Sequence, residues 1–475
     1  MPAIGVPTPR RDSEPKVRGQ TRYAADLPVV GLSHARLVLA YEAHARIVSI
    51  DASAARALSG VLGVLTFGDL PIRETGKGRH HEPLAREEVV YAGQPVAVVV
   101  AETEAIAADA AELVAVELEP LEPVLDPEAA ARPGAPRARV LAREEGEGGD
   151  LADAHASVSA SDAGPEEEVS DNVLGSARLA HGDVDAALAS SDVVVSGRFQ
   201  TSWVYQGYLE PQTATAWIEP AGGLVISAST QAAFATRDEL AKLFGLERDQ
   251  VRVRAAPLGG GFGGKLLMLE PLVGAAALVL RRPVRLVMTR SEDLAAANPA
   301  GGEILDLELG AEADGTLTGI RARVLVDRGT TEDYGLETIG ALLVAGPYRW
   351  QAHELVARGV MTNRLNFGAY RAPAATPSAF AVESLIDELA ERLGSDPLEL
   401  RLRNVMKEGD RTVSSPSFPV FGAEQCLERL RGHPLWARRN SLLPGEGIGA
   451  AIGWWPGGYE PASAVCRLDA DGRLT

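Results

Sequence analysis

Cysteine is nearly missing from this chain: Cys426 and Cys466 are the two in 475 residues. They are too few and too far apart to hold an iron–sulfur cluster or a structural zinc within the chain. They read as two unpaired core thiols in a reducing cytosol. Long apolar runs are missing as well. The longest, Leu272 to Leu280, is stopped by Arg281 and Arg282 and falls well short of the ~20 residues that cross a bilayer. The opening MPAIGVPTPRRDSEPKVRGQ lacks the apolar core of a secretory signal, so a cytoplasmic location is expected. Positive charge is in deficit, with 46 Lys and Arg against 65 Asp and Glu and a formal charge of -19. That balance repels nucleic acid and anionic membranes and leaves small molecules and other proteins as partners. What remains, 46% hydrophobic and 23% charged residues, is the composition of a soluble globular protein of two to four domains.

From Leu32 to about Leu125 the pattern alternates strands with helices: IVSI, DASAARALSG and VLGVLTF, then PVAVVVAE, TEAIAADAAEL and VAVELEP. Each helix opens on an acidic or hydroxyl residue suited to an N-cap. Between Asp126 and about Val169 the composition shifts to Ala, Pro, Gly, Arg and Glu, as a linker does. Structure resumes near Ser176. Further on, DLELGAEADGTLTGIRARVLVD predicts a hairpin turned at Asp314 and Gly315. Val382, Leu385, Ile386, Leu389 and Leu393 predict one face of a helix, with Pro377 near its start and Gly394 just past its end.

The chain's centre of interest is VRVRAAPLGGGFGGKLLMLEPLVGAAALVL, residues 251 to 280. Alternation predicts a strand, the run Gly259 to Gly264 broken only by Phe262 predicts a loop, and the apolar stretch predicts a helix. Glycine permits positive φ and close backbone approach, and free N–H groups at a helix start attract anions. The expected guest is a phosphate or a phosphate-bearing cofactor. A P-loop also fits up to Lys265, but Leu266 stands where a magnesium-binding hydroxyl is needed. A dinucleotide fingerprint fits Gly259, Gly261 and Gly264, yet no acid lies between Glu270 and Glu292 to bind a ribose. A ligand-free glycine hairpin is the plain alternative. Taken alone, Gln231 is a capping or solvated amide, and Arg371 is either a cation aimed at a ligand or a surface arginine. At the other end SAVCRLDADGRLT repeats the hairpin grammar at Asp471 and Gly472, which leaves an open strand edge that another polypeptide is expected to cover.

In order along the chain, RGQTRYAADL, HARIVSID, YLEPQTATA, STQ, GGGFGGK, RSEDL, GAYRAP and ESLIDELAERLGSDPLELRLRN together resemble the molybdenum-binding subunit of the xanthine dehydrogenase and aldehyde oxidase family, the molybdenum hydroxylases. The resemblance covers nearly the whole sequence. It implies an α+β chain: an N-terminal α/β-hammerhead-like domain over 1–125, a linker over 126–175, and the first molybdopterin-binding domain over 176–475, with the second such domain missing. It implies a molybdenum–molybdopterin cofactor, the cytosine dinucleotide form among the candidates. Gly260, Gly261, Phe262, Gly263 and Gly264 would lie against the pterin and the metal's oxygen ligands, Gln231 near an oxo group and Arg371 beside the metal site, with no side chain of this chain ligating the metal. Backbone amides, a carboxamide and a guanidinium around an anionic centre make joint physical sense.

The activity implied is hydroxylation with water as the oxygen source, electrons leaving through iron–sulfur clusters and FAD on partner subunits. The family's glutamate base has no counterpart here, so it is expected on a C-terminal molybdopterin-binding chain, leaving this chain inactive alone. Leu266 replaces a glutamate of purine-oxidising members, and Leu336 to Tyr348 lacks their arginine. An aldehyde or an N-heterocycle such as nicotinate is therefore the expected substrate. The segment LAAANPAGGEIL also lacks the family's arginine after RSED. A noncatalytic binding or assembly protein that no longer holds the metal is the second reading.

Overall fold

PVAVVVA is apolar without interruption, and Gln94–Ala101 is accordingly buried at all eight positions, a strand covered on both faces. A computed structural model describes residues 5–10, 12–73, 76–141, 168–332, 335–414, 421–455 and 463–473. Among these residues the chain forms sheets of seven, five and three strands. The N-terminal units fold as read. Ala45–Asp51, the helix Ser53–Ala57 and Val61–Leu65 make the first; Gln94–Ala101, the helix Glu104–Glu112 and Ala115–Pro120 make the second. Thr103 caps the second helix by accepting from the Ile106 N–H at 3.2 Å. The first lacks a side-chain cap at Ala52, and Asp51 instead accepts from Ser53 N–H.

The seven-stranded sheet runs Val251–Ala255, Leu224–Ala228, Thr213–Ile218, Val284–Val287, Ser33–Ala40, Gln94–Ala101, Val61–Leu65. Its middle joins segments from either side of 126–175, because Ser33 to Ala35 pair in parallel with Val284 to Leu286. Buried Arg285 reinforces the join, donating to Thr215 Oγ1 and to the carbonyls of Ala25 and Leu27. The helices Ala233–Phe244 and Glu270–Leu280 bury Leu240, Leu243, Phe244, Leu272 and Val273 in the same core as the sheet. Gly274 lets them close, since a Cβ there would stand 3.1 Å from the Phe244 ring.

The five-stranded sheet runs Val173–His181, Ala352–Met361, Leu317–Gly329, Glu303–Ala311, Val193–Gln200. Its hairpin turns at Asp314 and Gly315, the glycine at φ +88°. The helix Ala375–Arg392 covers one face with Val382, Leu385, Ile386 and Leu389, and Gly394 follows at φ +63°. The RLRN motif supplies the clasp: fully buried Arg401 donates to Glu383 at 2.8 Å and Asp387 at 2.7 Å.

Two expectations are corrected. Cys426 and Cys466 are free but exposed, not core thiols; Cys426 sits on the helix Ala423–Arg431, in which Leu427 is the buried residue. Part of the stretch read as a linker is packed, with Ala130 and Ala138 fully buried and Asn172 bonding the carbonyls of Ala130 and Pro136. Residues 142–167 of that stretch lie outside the described residues. At the other end, Asp469 and Arg473 close a turn at Asp471 and Gly472, and Val465 is 96% exposed. No helix among the described residues is long and apolar enough to cross a membrane.

Candidate functional site

The glycine loop leaves the edge strand Val251–Ala255 and lies at the end of the sheet where Leu224–Ala228 stops and Thr213–Ile218 starts, bonded to Gln231 and Gln212 just beyond them. Almost every hydrogen-bonding group on its inner side is used. Gly259 N–H donates to Glu210 Oε2 at 2.8 Å, and the Gly259 carbonyl accepts from Glu210 N–H. Gly263 and Lys265 N–H both donate to Gln231 Oε1, at 2.9 and 3.3 Å. Gln212 Nε2 donates to the Gly264 carbonyl at 2.7 Å, and Arg371 N–H to the Phe262 carbonyl at 2.8 Å. The N–H groups of Gly260, Gly261 and Phe262 donate to nothing among the described residues. Gly260 at φ +98° and Phe262 at φ +54° turn this stretch into a backbone nest, a concavity suited to an anion.

The glycines answer to the protein as much as to any ligand. A Cβ on Gly259 would stand 2.5 Å from Glu210 Cβ, one on Gly263 2.5 Å from the Ala369 carbonyl oxygen, one on Gly264 2.8 Å from Gln206 Cδ, and one on Gly261 would collide with Gln231 Oε1. The loop is therefore pressed onto its supports. Gln231 Oε1 accepts two backbone N–H groups, which fixes the amide and turns Nε2, free of partners among the described residues, the other way. Arg371 is exposed, and its guanidinium likewise holds no hydrogen bond or ion pair among the described residues. Gln231, Gly260 to Gly264 and Arg371, far apart in sequence, are thus brought together.

Beneath the loop lies a layer the sequence reading missed. In YQGYLEPQ the polar side chains of Gln206, Tyr208 and Gln212 are buried while Leu209 is 90% exposed, the reverse of ordinary alternation. Tyr208 and Tyr205 donate to Asp293 at 2.9 and 2.8 Å. Asp293 is fully buried, and burial pushes its carboxyl up against the lowering by both tyrosines and by Arg290. Burial, with Asp293 adding to it, pushes the Tyr205 phenol up to about 12. Asp293 is placed by the RSED motif, whose helix Arg290–Ala296 opens on a capping box between Thr289 and Glu292. Gln206 Nε2 ties the carbonyls of Asn298 and Ala369, joining the floor to the Arg371 loop. The signal that could have found this layer was the T-x-x-E box at Thr289 to Glu292; the inverted alternation shows only in the burial.

One part of the anion-cradle expectation is corrected. The helix begins at Glu270, not at the loop, and its N-terminus is occupied by its own carboxylate: Glu270 Oε2 accepts from Leu269 N–H at 3.0 Å. Burial raises the Glu270 pKa even as those backbone groups lower it. The cradle is the loop alone. Nor can Lys265 serve a nucleotide phosphate, because its side chain is fully buried with Nζ 2.8 Å from Glu210 Oε2 and 4.8 Å from the centre of the Tyr208 ring.

The free donors, three N–H groups, one carboxamide and one guanidinium, fit a polyanionic oxygen-rich group. Among the described residues no three His, Cys, Asp or Glu side chains gather as a metal site, so a metal held here would carry its own ligands. Beside Arg371 a groove of about 620 Å³ opens, lined by Ala372, Ala375, Phe380, Trp454 and Trp455.

Residues 166–405 match the molybdopterin cofactor-binding domain family, and residues 18–122 match the a/b hammerhead domain of aldehyde oxidase and xanthine dehydrogenase. The chain is similar to the xanthine dehydrogenase molybdenum-binding subunit of Escherichia coli O157:H7, 30% identical over 98% of this chain and 62% of that protein. It is also similar to the nicotine 6-hydroxylase large subunit of Paenarthrobacter nicotinovorans, 33% identical over 92% of this chain and 53% of that protein. Its fold is similar to that of the aldehyde oxidoreductase from Desulfovibrio gigas, with a TM-score of 0.78 and 30% identity over 89% of this chain and 46% of that one. The chain thus spans roughly half to three-fifths of the length of these relatives.

Proposed function

The chain belongs to the xanthine dehydrogenase and aldehyde oxidase family of molybdenum hydroxylases, and from that premise we propose that it holds one wall of a molybdenum–molybdopterin site for oxidation of an aldehyde or an N-heterocycle. The observation that carries the proposal is one loop that leaves the Gly260, Gly261 and Phe262 N–H groups unpaired and is bonded directly to Gln231, through Oε1, and to Arg371, through its backbone N–H. When bound, the cofactor supplies the two-electron oxidation, with water as the oxygen source. The loop's part is to bind its anionic oxygens through the nest. Gln231 donates from a fixed amide, and Arg371 offsets negative charge. The open groove at Phe380, Trp454 and Trp455 offers flat apolar surface for a planar substrate next to the Arg371 loop. Leu266, in place of a purine-gripping glutamate, favours an aldehyde or a pyridine-like ring.

The glutamate base and the second wall lie beyond these 475 residues, in a second molybdopterin-binding domain. Iron–sulfur and FAD subunits take the electrons, and the cytosine dinucleotide is one candidate form of the pterin. The test is purification of the chain with its genetic neighbours, followed by elemental analysis for molybdenum and nucleotide release from the pterin. Near-stoichiometric molybdenum is expected in the wild type. Gln231→Ala should lower kcat/KM by roughly 10²-fold or more, as loss of one oriented donor does. A complex with all its subunits but no molybdenum overturns the proposal in favour of a noncatalytic assembly protein.

A further inference from the structure

One feature of the loop's underside goes unused in the proposed chemistry: the Lys265–Glu210 ion pair. Lys265 Nζ donates to Glu210 Oε2 at 2.8 Å, and the same oxygen accepts from Gly259 N–H at 2.8 Å. Glu210 N–H returns a bond to the Gly259 carbonyl at 3.2 Å. Both ends of the stretch Gly259 to Lys265 are thereby fastened to one carboxylate. A buried ion pair is poor evidence of stabilisation, since well-packed apolar replacements are often as stable or more so. What it does supply is direction, with few alternative geometries. The surrounding contacts share that purpose, for the ammonium also faces the Tyr208 ring, and Tyr208 is fixed in turn by Asp293 and Gln212.

We infer that Glu210 and Lys265 are positioning residues whose ion pair closes the Gly259–Lys265 loop into a ring and holds the N–H groups of Gly260, Gly261 and Phe262 in one concave array. The inference rests on the proposed function for its purpose, but its geometry belongs to this chain alone. The pair would act on cofactor retention without touching the cofactor.

The experiment uses the full chain purified with its partners and compares wild type, Glu210→Gln, and the double variant Glu210→Leu/Lys265→Met, which replaces the pair by apolar groups. Hydrogen exchange is read at the Gly263 and Lys265 amides, whose acceptor Gln231 is untouched, alongside the melting temperature and the molybdenum content. The double variant is expected to melt near the wild type, to exchange those two amides about tenfold faster, and to retain about tenfold less molybdenum, the effect of losing a charge-assisted tie. Glu210→Gln, which keeps an acceptor oxygen for Gly259 and Lys265, is expected to restore most of the slow exchange. Wild-type exchange and molybdenum in the double variant overturn the inference. So does a fall in melting temperature with faster exchange throughout the chain, which marks a merely structural pair. A wild-type complex without molybdenum defeats the proposed function, while the exchange comparison still decides the clamp.

Discussion

At Gly263 the backbone sits at φ +105°, and a Cβ would meet the Ala369 carbonyl oxygen at 2.5 Å. Gly222 has a similar φ of +93° but open space around it. Gly222→Ala should therefore cost about 1 kcal/mol, the dihedral penalty alone, and Gly263→Ala at least about 1 kcal/mol more, because backbone must shift as well. Denaturant unfolding checks this; equal costs would show that the loop can retreat from Ala369. Side chains at this scale were only partly legible in the sequence. GGGFGG stands out because few other roles require such a run, whereas Gln231 gains meaning only from the ordered series of motifs around it, and the fold brings the two together. Tyr205, Gln206, Tyr208 and Gln212 did not stand out, since a polar residue in a half-irregular segment is ordinarily solvated. Only the exposure of Leu209 beside them gives the inversion away.

The helix Glu270–Leu280 ends at Arg281 with φ +55°, the left-handed position glycine normally fills. Arg281→Gly is expected to stabilise the protein by about 1 kcal/mol by relieving that conformation, visible as a higher unfolding midpoint. No change would mean that the arginine side chain offsets the strain. The contrast with Ala233–Phe244, which stops at Gly245 with φ +61°, explains what was readable among the elements. Where glycine marks the stop, as at Gly245 and Gly394, or Asp-Gly marks a turn, as at Asp314 and Gly315, local chemistry and structure coincide. Glu270 was opaque for the opposite reason. An acid in a first helical turn normally looks outward, and nothing in the sequence tells that this one folds back over its own N-terminus.

Across the molecule, His44 stitches segments that are distant in sequence. Its Nε2 contacts Glu88 at 2.7 Å and its Nδ1 the Glu122 carbonyl at 2.8 Å, while Glu88 also accepts from Val140 and Leu141 N–H. Burial opposes the charged ring, yet the Glu88 hydrogen bond and the Glu122 carbonyl raise the His44 pKa above 6.5. Burial likewise opposes the Glu88 carboxylate, yet His44 and the two backbone N–H groups hold its pKa below 4.5. A raised histidine stabilises fully below its unfolded pKa and loses that contribution as pH rises through the folded one. A depressed carboxylate does so above its unfolded pKa and loses it as pH falls through the folded one. Both contributions are complete between pH 4.5 and 6.5. Glu88→Gln should cost roughly 3 kcal/mol in that window and flatten the dependence of the unfolding midpoint on pH at both ends; an unchanged curve would exclude the pair as its source. Neither residue carried a sequence signal, because the pairing is set by tertiary approach.

The seam between Ser33–Ala40 and Val284–Val287 has a consequence for birth as well as for stability. Arg36 donates to the Val287 carbonyl, 251 positions downstream. At roughly 5–20 residues per second of synthesis, the first of these strands leaves the ribosome about 13 to 50 s before its neighbour exists. During that interval one border of the nascent β-structure is bare, and the newborn chain depends on chaperones or on slow collapse to stay solitary until the later strand arrives.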